Sequence, residues 1–223
     1  MKHEEFIEQL APVAVQLRVE GSPLFPSVRL AQSLLETGGV IHSWNNLGGI
    51  KVGNGKPNAY WKGEIVNKGT WEVYDGQRKD VTAAFRAYES IYDFYKDQDL
   101  ILQYRRYDSV RRSQSPNEQA HALAASGYAT DPQYAEKLIQ LIARYGLIQY
   151  DKEAETIMEL RDEVAALQQQ LKELHDRLYM SDIPEWAEEA VKAAVDRGIV
   201  LSPDGRSFDY YSCLTVMHRL GLF

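Results

Sequence analysis

The chain has 223 residues, with 25 Lys and Arg against 32 Asp and Glu, a formal charge of −7, and one cysteine. That length allows one sizeable core with room for a small second module. The acidic balance argues against a nucleic-acid binder, which needs a basic face, and a lone cysteine excludes an intrachain disulfide framework. The charge is uneven. Residues 1–150 carry 17 basic and 17 acidic side chains, so the whole −7 falls in 151–223, while 11 of the 14 Tyr lie before 151. Two regions of different character are implied. The start, Met1-Lys2-His3-Glu4-Glu5, lacks a basic segment followed by an apolar run, so the expectation is synthesis in the cytoplasm without a secretory signal. No apolar stretch approaches the roughly 20 residues of a membrane span.

Residues 4–20 show helical apolar spacing through Phe6, Ile7, Leu10, Val13, Ala14 and Leu17. Ser22-Pro23 breaks that pattern. A second helix is predicted from Pro26, a favourable first-turn residue, through Val28, Leu30, Ala31, Leu34 and Leu35 to a stop at Gly38-Gly39. Residues 40–86 are punctuated by glycines. Thr70–Tyr74 and Val81–Arg86 read as strands flanking a turn at Asp75-Gly76, which makes a small β-rich lobe inserted between helices.

Helical periodicity returns near Ser90, with Ile91, Phe94, Tyr95, Leu100 and Leu102 predicting one or two helices. Asn117–Ser126 is another, with Ser115-Pro116 before it and Gly127 after it. Asp131-Pro132 reads as an N-cap and first-turn proline for a further helix that stops near Gly146. From 153 to 178 the apolar residues alternate spacings of three and four. Ile157, Val164, Leu171 and Leu178 take the a positions of a heptad, and Leu160, Leu167 and Leu174 the d positions. The spacing fits a coiled coil, or an amphipathic helix lying on its own domain. Residues 180–223 form a small terminal module. Its helices are predicted over Pro184–Arg197 and Tyr211–Leu220, around a turn at Pro203-Asp204-Gly205.

Among residues that could carry chemistry, Glu36 stands in the last turn of an apolar helix. The electronegative helix end and burial in a cleft would both raise its pKa, which suits a general acid. Trp44-Asn45-Asn46 beside Gly48-Gly49 offers amides for sugar hydroxyls and a ring for a pyranose face, or simply an Asx-rich turn. The five histidines are scattered, with no metal-ligand spacing.

Four strings together resemble glycoside hydrolase family 73, the glucosaminidase domain of FlgJ-like and autolysin-type peptidoglycan hydrolases. They are Leu30-Ala31-Gln32-Ser33-Leu34-Leu35-Glu36-Thr37-Gly38, then Asn45-Asn46-Leu47-Gly48-Gly49-Ile50-Lys51, then Phe85-Arg86-Ala87-Tyr88 with Ser90, and Tyr128–Tyr134. Thr37 stands where Ser is commoner, and Gly48 where Phe is frequent. The resemblance covers roughly residues 5–150. It implies a mainly α, α+β, lysozyme-like fold, with a helical lobe and a small β-hairpin lobe around a glycan cleft. It also implies hydrolysis of the β-1,4 bond after N-acetylglucosamine in peptidoglycan, with no cofactor or metal. Glu36 matches the general acid. A second carboxylate is expected from the β lobe, with Glu72 in the hairpin position and Glu64 and Asp75 as lesser candidates. Tyr134 matches a tyrosine near the acid, and Tyr128 is its alternative. Trp44, Asn45, Asn46, Trp71, Arg86 and Tyr128 are the expected substrate-binding residues.

The terminal string Ser181-Asp182-Ile183-Pro184-Glu185-Trp186-Ala187 resembles a single S-layer-homology-like repeat. Asp209–Thr215 lacks the acid and arginine that such repeats carry. The module implies either binding to a secondary cell-wall polymer or a cap on an oligomer. The expected layout is a catalytic domain over 1–150, a coiled-coil linker over 151–179 and the terminal module over 180–223. Residues 153–178 would mediate homo-oligomerisation. The expected partner is the peptidoglycan glycan strand, with no nucleic acid and no membrane span. The expected setting is a phage or prophage endolysin released through a holin. A lytic transglycosylase, or a wall-binding protein on a hydrolase fold, is the alternative.

Overall fold

The computed structural model describes residues 2–74 and 77–223, and the side chains of 70–81 fall outside that description. The chain divides into two compact units, Met1–Met158 and Glu159–Phe223.

The first unit is built on two N-terminal helices, α1 (His3–Val19) and α2 (Pro26–Thr37). Phe6, Leu10, Ala14 and Leu17 recur every three or four residues and bury one face of α1. Burying each large apolar side chain of this kind favours folding by about 1.5–3 kcal/mol. Nearly every residue of α2 from Pro26 to Leu34 is buried, so this helix is the centre of the unit and packs on α1. Its start has a local deficit, because the N-cap residue is Phe25, which has no side-chain acceptor. Distant side chains fill it. Gln119 Oε1 accepts from the Phe25 amide at 2.8 Å, and Asp151 Oδ1 accepts from the Ser27 amide at 2.8 Å. At the other end Gly38 takes a left-handed conformation (φ 62°) and its amide closes onto Leu34 O. That is the stop expected of a glycine.

Two antiparallel strands, β1 (Ile65–Tyr74) and β2 (Gln77–Arg86), pair from Ile65↔Arg86 to Tyr74↔Gln77. They are longer than the expected pair of short strands. Ile-Val-Asn-Lys-Gly at the root of β1 has no clean alternation, and it becomes a strand by pairing with Thr82–Arg86 of β2. The turn predicted at Asp75-Gly76 lies outside the described residues. The loop after α2 also docks on this root, through Val52 N to Ala84 O at 2.9 Å and Arg86 N to Ile50 O at 3.0 Å.

Four helices complete the unit: α3 (Ile91–Ile101), α4 (Asp108–Arg112), α5 (Pro116–Ala125) and α6 (Tyr134–Arg144). Helix α5 and helix α6 pack on α2. Ser90 and Ser115 cap α3 and α5 by accepting the amides three residues on. The Asp131 expectation needs correction. Helix α6 begins at Tyr134, behind a turn closed by Tyr134 N to Asp131 O, while the Asp131 carboxylate accepts from Gln133 N at 2.9 Å and binds Lys137. The side chain organises the approach to the helix and does not cap it.

A long helix, α7 (Ile148–Leu178), begins in the first unit with Asp151 and Ala154 buried. Further along, Leu160, Val164, Leu167, Leu171, Leu174 and Leu178 are each more than half exposed. The second unit continues through a 3-10 turn (Glu185–Ala187), α8 (Glu188–Asp196) and α9 (Phe208–Arg219). Its small core gathers Ala187, Val191, Ala194, Val200, Tyr211, Leu214 and Phe223. The helix expected over Pro184–Arg197 is shorter because its start is this 3-10 turn. The last helix starts three residues early because Ser207 caps it, accepting from Tyr210 N at 3.1 Å. The described residues are mainly helical with one small hairpin, in keeping with the α+β expectation. Among the described residues no helix is long and apolar enough to cross a membrane.

Candidate functional site

A cleft of ≈ 510 Å³ opens between the end of α2, the Gly48–Lys51 loop and the segment leading into α6. Its walls include Glu36, Lys51, Phe85, Tyr128, Asp131 and Tyr134. It shares Gly48, Gly49, Lys51 and Tyr128 with a neighbouring pocket of ≈ 610 Å³. The two adjoin along that shared wall. Gly48 lies at their junction, where an added Cβ would come within 3.1 Å of Phe94 and 3.3 Å of the Tyr128 hydroxyl. A bare backbone there leaves the tyrosine its place.

Glu36 is exposed at the mouth of the cleft, because Gly38 stops α2 just beyond it. The surrounding wall still strips enough water from its carboxyl to raise the pKa, and a hydrogen bond from Tyr134 acts weakly in the opposite sense. Tyr134 is buried, and its oxygen accepts from Gln32 Nε2 at 2.9 Å. Tyr128 stands beside it with rings 6.0 Å apart, accepts from Gln98 Nε2 at 3.0 Å, and has its hydroxyl pKa pushed up to about 12 by burial. Glu36, Tyr128 and Tyr134 therefore meet in one cleft, although about 100 residues separate the acid from the tyrosines.

The other expected site residues are distributed differently. Asn46 is buried and spends its whole amide on the backbone. Its nitrogen donates to Ile50 O and Arg86 O, both at 2.9 Å, and its oxygen accepts from Ile50 N at 2.9 Å. Asn45, at φ 51°, donates to the carbonyls of Tyr88 and Glu89. These amides were expected to meet sugar hydroxyls. They pin the loop instead, since a turn this tight leaves backbone groups that need partners. Trp44 does not line the cleft. Its ring stacks on His42 at 4.2 Å and takes the Lys68 ammonium 4.2 Å above it.

Arg86 touches the second pocket but is mostly buried, with its guanidinium over Trp61 and paired to Asp97 Oδ2 at 2.7 Å. It acts chiefly as a brace. Glu64 is exposed at the hairpin root. Glu72 and Trp71 lie on β1, opposite Lys79 and Asp80, but their side chains are outside the described residues, as is Asp75. Asp131 is the described carboxylate that shares the cleft with Glu36. It is held below the usual carboxylate range by the Lys137 ammonium and by the Gln133 amide.

Sequence reasoning missed Gln32, Gln98 and Asp97. Gln32 carried a usable signal: it stands four residues before Glu36 and so shares its helix face. Among the described residues no three His, Cys, Asp or Glu side chains converge as a metal site would require.

Comparison with known proteins gives the following. The family model described as glucosaminidase, mannosyl-glycoprotein endo-beta-N-acetylglucosaminidase, matches residues 14–147. Exo-glucosaminidase LytG of Bacillus subtilis (strain 168) is 33% identical over 161 residues, covering 68% of this chain and 54% of that protein. Peptidoglycan hydrolase FlgJ of Escherichia coli (strain K12) is 34% identical over 147 residues, covering 61% and 45%. The chain thus spans about half the length of these relatives. Among solved structures, the catalytic domain of the autolysin Auto from Listeria monocytogenes superposes with a TM-score of 0.56 at 28% identity, over 67% of this chain and 88% of that one. A peptidoglycan hydrolase mutant from Sphingomonas sp. A1 gives 0.54 at 31% identity, over 66% and 97%.

Proposed function

The chain belongs to the glucosaminidase family, and from that premise we propose that it hydrolyses peptidoglycan at the β-1,4 bond following N-acetylglucosamine, with Glu36 as general acid. The observation that carries the proposal is one carboxyl with a raised pKa, set in the same cleft as Tyr134, Tyr128 and the Gly48-Gly49 backbone. A carboxyl whose pKa is raised holds its proton more readily and can give it to the leaving glycosidic oxygen. The second function is to activate water or to stabilise the oxocarbenium-like transition state. We assign it to Glu72 of the hairpin. Tyr134 steadies Glu36, and Tyr128 offers a hydroxyl to the sugar.

The other parts of the proposal concern the remainder of the chain. Residues 1–150 are the catalytic part, 151–179 the coiled-coil connector and 180–223 the S-layer-homology-like module. The exposed apolar stripe on α7 supports self-association through 153–178. The separate small core supports a terminal module with its own fold, which serves either to bind a cell-wall polymer or to cap the oligomer. Action on the wall after holin-dependent release from a phage or prophage host belongs to the same reading.

The test is digestion of purified cell walls with mass spectrometry of the products. Reducing-end N-acetylglucosamine is expected, and Glu36→Gln slows its release by roughly 10²–10⁴-fold. Anhydromuramic ends would indicate a lytic transglycosylase, and undiminished lysis by Glu36→Gln would remove the catalytic assignment. For the connector, light scattering on the full chain is expected to give a multiple of the monomer mass that collapses in Leu167→Glu/Leu171→Glu. A monomer at micromolar concentration would overturn the oligomer.

A further inference from the structure

A chain of buried polar side chains leads from α3 to the cleft, and its direction is fixed at one end. Arg29 of α2 is fully buried. Its guanidinium pairs with Asp99, donates to Ser22 Oγ at 2.7 Å and to Gln98 Oε1 at 2.8 Å, and lies over the Tyr95 ring. A guanidinium has donors and no acceptor. The oxygen of Gln98 must therefore face Arg29, and its nitrogen must face away. That nitrogen reaches the Tyr128 oxygen at 3.0 Å and Gln32 Oε1 at 3.4 Å. The same constraint then turns Gln32, whose nitrogen donates to the Tyr134 oxygen at 2.9 Å. Each tyrosine oxygen is occupied as an acceptor from the interior. Its single proton is left to point outward, for Tyr134 into the cleft that it lines together with Glu36.

We propose that Arg29, Gln98 and Gln32 are positioning residues that set the direction of the tyrosine protons in the cleft, so that Tyr134 always donates to Glu36 and Tyr128 always donates towards the ligand. The proposal deepens the assignment of Glu36 and rests on it, but its test does not require turnover. The groups sharing the cleft with Glu36 are Tyr134 of α6, Tyr128 and Asp131 of the preceding segment, and Lys51 of the loop after α2. The two tyrosines are joined to Gln98 and Gln32.

Gln98→Glu keeps the side-chain shape but has no donor. Beside Arg29 it is ionised, so Gln32 turns over and Tyr134 donates inward. The carboxylate of Glu36 then loses a donor, and its pKa rises by about one pH unit. The readout is the carbon-13 titration of Glu36 in the full chain, assigned through Glu36→Gln. The same substitution in a Tyr134→Phe background separates the network from a plain charge effect. The expected result is a rise with Tyr134 present and no further rise with Phe there. A rise of equal size in both backgrounds, or no rise in either with the fold intact by circular dichroism, overturns the proposal. Should Gln98→Glu fail to fold, Gln32→Glu reverses the last link and is read in the same way. Absence of wall digestion by the parent chain would count against the function, while the titration would still decide the network.

Discussion

Asp97 of α3 offers the sharpest test of how the hairpin is held to the helical part. It is fully buried and satisfied from three sides: Arg86 Nη1 at 2.7 Å, the Tyr88 hydroxyl at 2.7 Å and Asn58 Nδ2 at 2.6 Å. These partners come from the end of β2, the segment after it and the loop before β1. Asp97→Leu would leave a buried guanidinium without its counter-charge, and breaking one side of such a pair costs about 3–5 kcal/mol. In a unit of this size each kcal/mol moves the melting temperature by roughly 2–4 °C, so a fall on the order of 10 °C is expected by thermal denaturation. Replacing both partners, as Asp97→Leu/Arg86→Met, removes the orphaned charge and should recover most of that loss. Wall digestion by the double variant adds a second readout. If Arg86 braces and does not bind, KM stays within about two-fold of the parent's. A fall below about 3 °C for Asp97→Leu, or a double variant no more stable than the single one, would refute the reasoning.

Three further outcomes are expected. Glu36→Gln should lower turnover on cell walls by roughly 10²–10⁴-fold with its melting temperature maintained, since it removes the proton donor and little packing. Gly48→Ala sets a methyl group against Phe94 and the Tyr128 hydroxyl, and should cost about 1–2 kcal/mol by denaturant titration and slow digestion as the tyrosine shifts. Burial raises the Asp151 carboxyl above its ordinary pKa, a shift opposed by the Ser27 hydrogen bonds and by Arg18. A raised carboxyl pKa favours folding most at low pH, and the advantage is lost as pH rises through the folded-state value. Asp151→Asn keeps the acceptor and sheds the charge, so its melting temperature should fall less than the parent's between pH 4 and pH 8.

What could be read directly from the residues was local. Pro26 and Gly38 bracket α2 because one fixes φ and the other tolerates the left-handed region, so the place of Glu36 in a last turn followed from backbone chemistry alone. Tyr128 and Tyr134 were legible only through resemblance, since nothing in their spacing points to an acid some hundred residues earlier. Asn45 and Asn46 show the opposite failure. An amide suits a sugar hydroxyl and a loop carbonyl equally well, and only the backbone brought alongside, at Ile50 and Arg86 for Asn46 and at Tyr88 and Glu89 for Asn45, decides between them. Asp131-Pro132 has the composition of a helix start, yet a turn closed by the Asp131 carbonyl intervenes. Asp97, Gln98 and Gln32 left little trace, because a polar residue inside a helix pattern acquires meaning from partners that the fold brings from elsewhere.

The hydrogen bond from Ser27 to Asp151 bears on where the first unit can be cut. The family match ends at residue 147, four positions before the side chain that closes the helix carrying Glu36. A fragment trimmed to the match would retain every group in the cleft and lose the far anchor of their scaffold. One ending at 158, where the compact unit ends, would keep it. The stretch that is inherited together is thus shorter than the stretch that must fold together, and the first turns of α7 belong to the unit that carries Glu36.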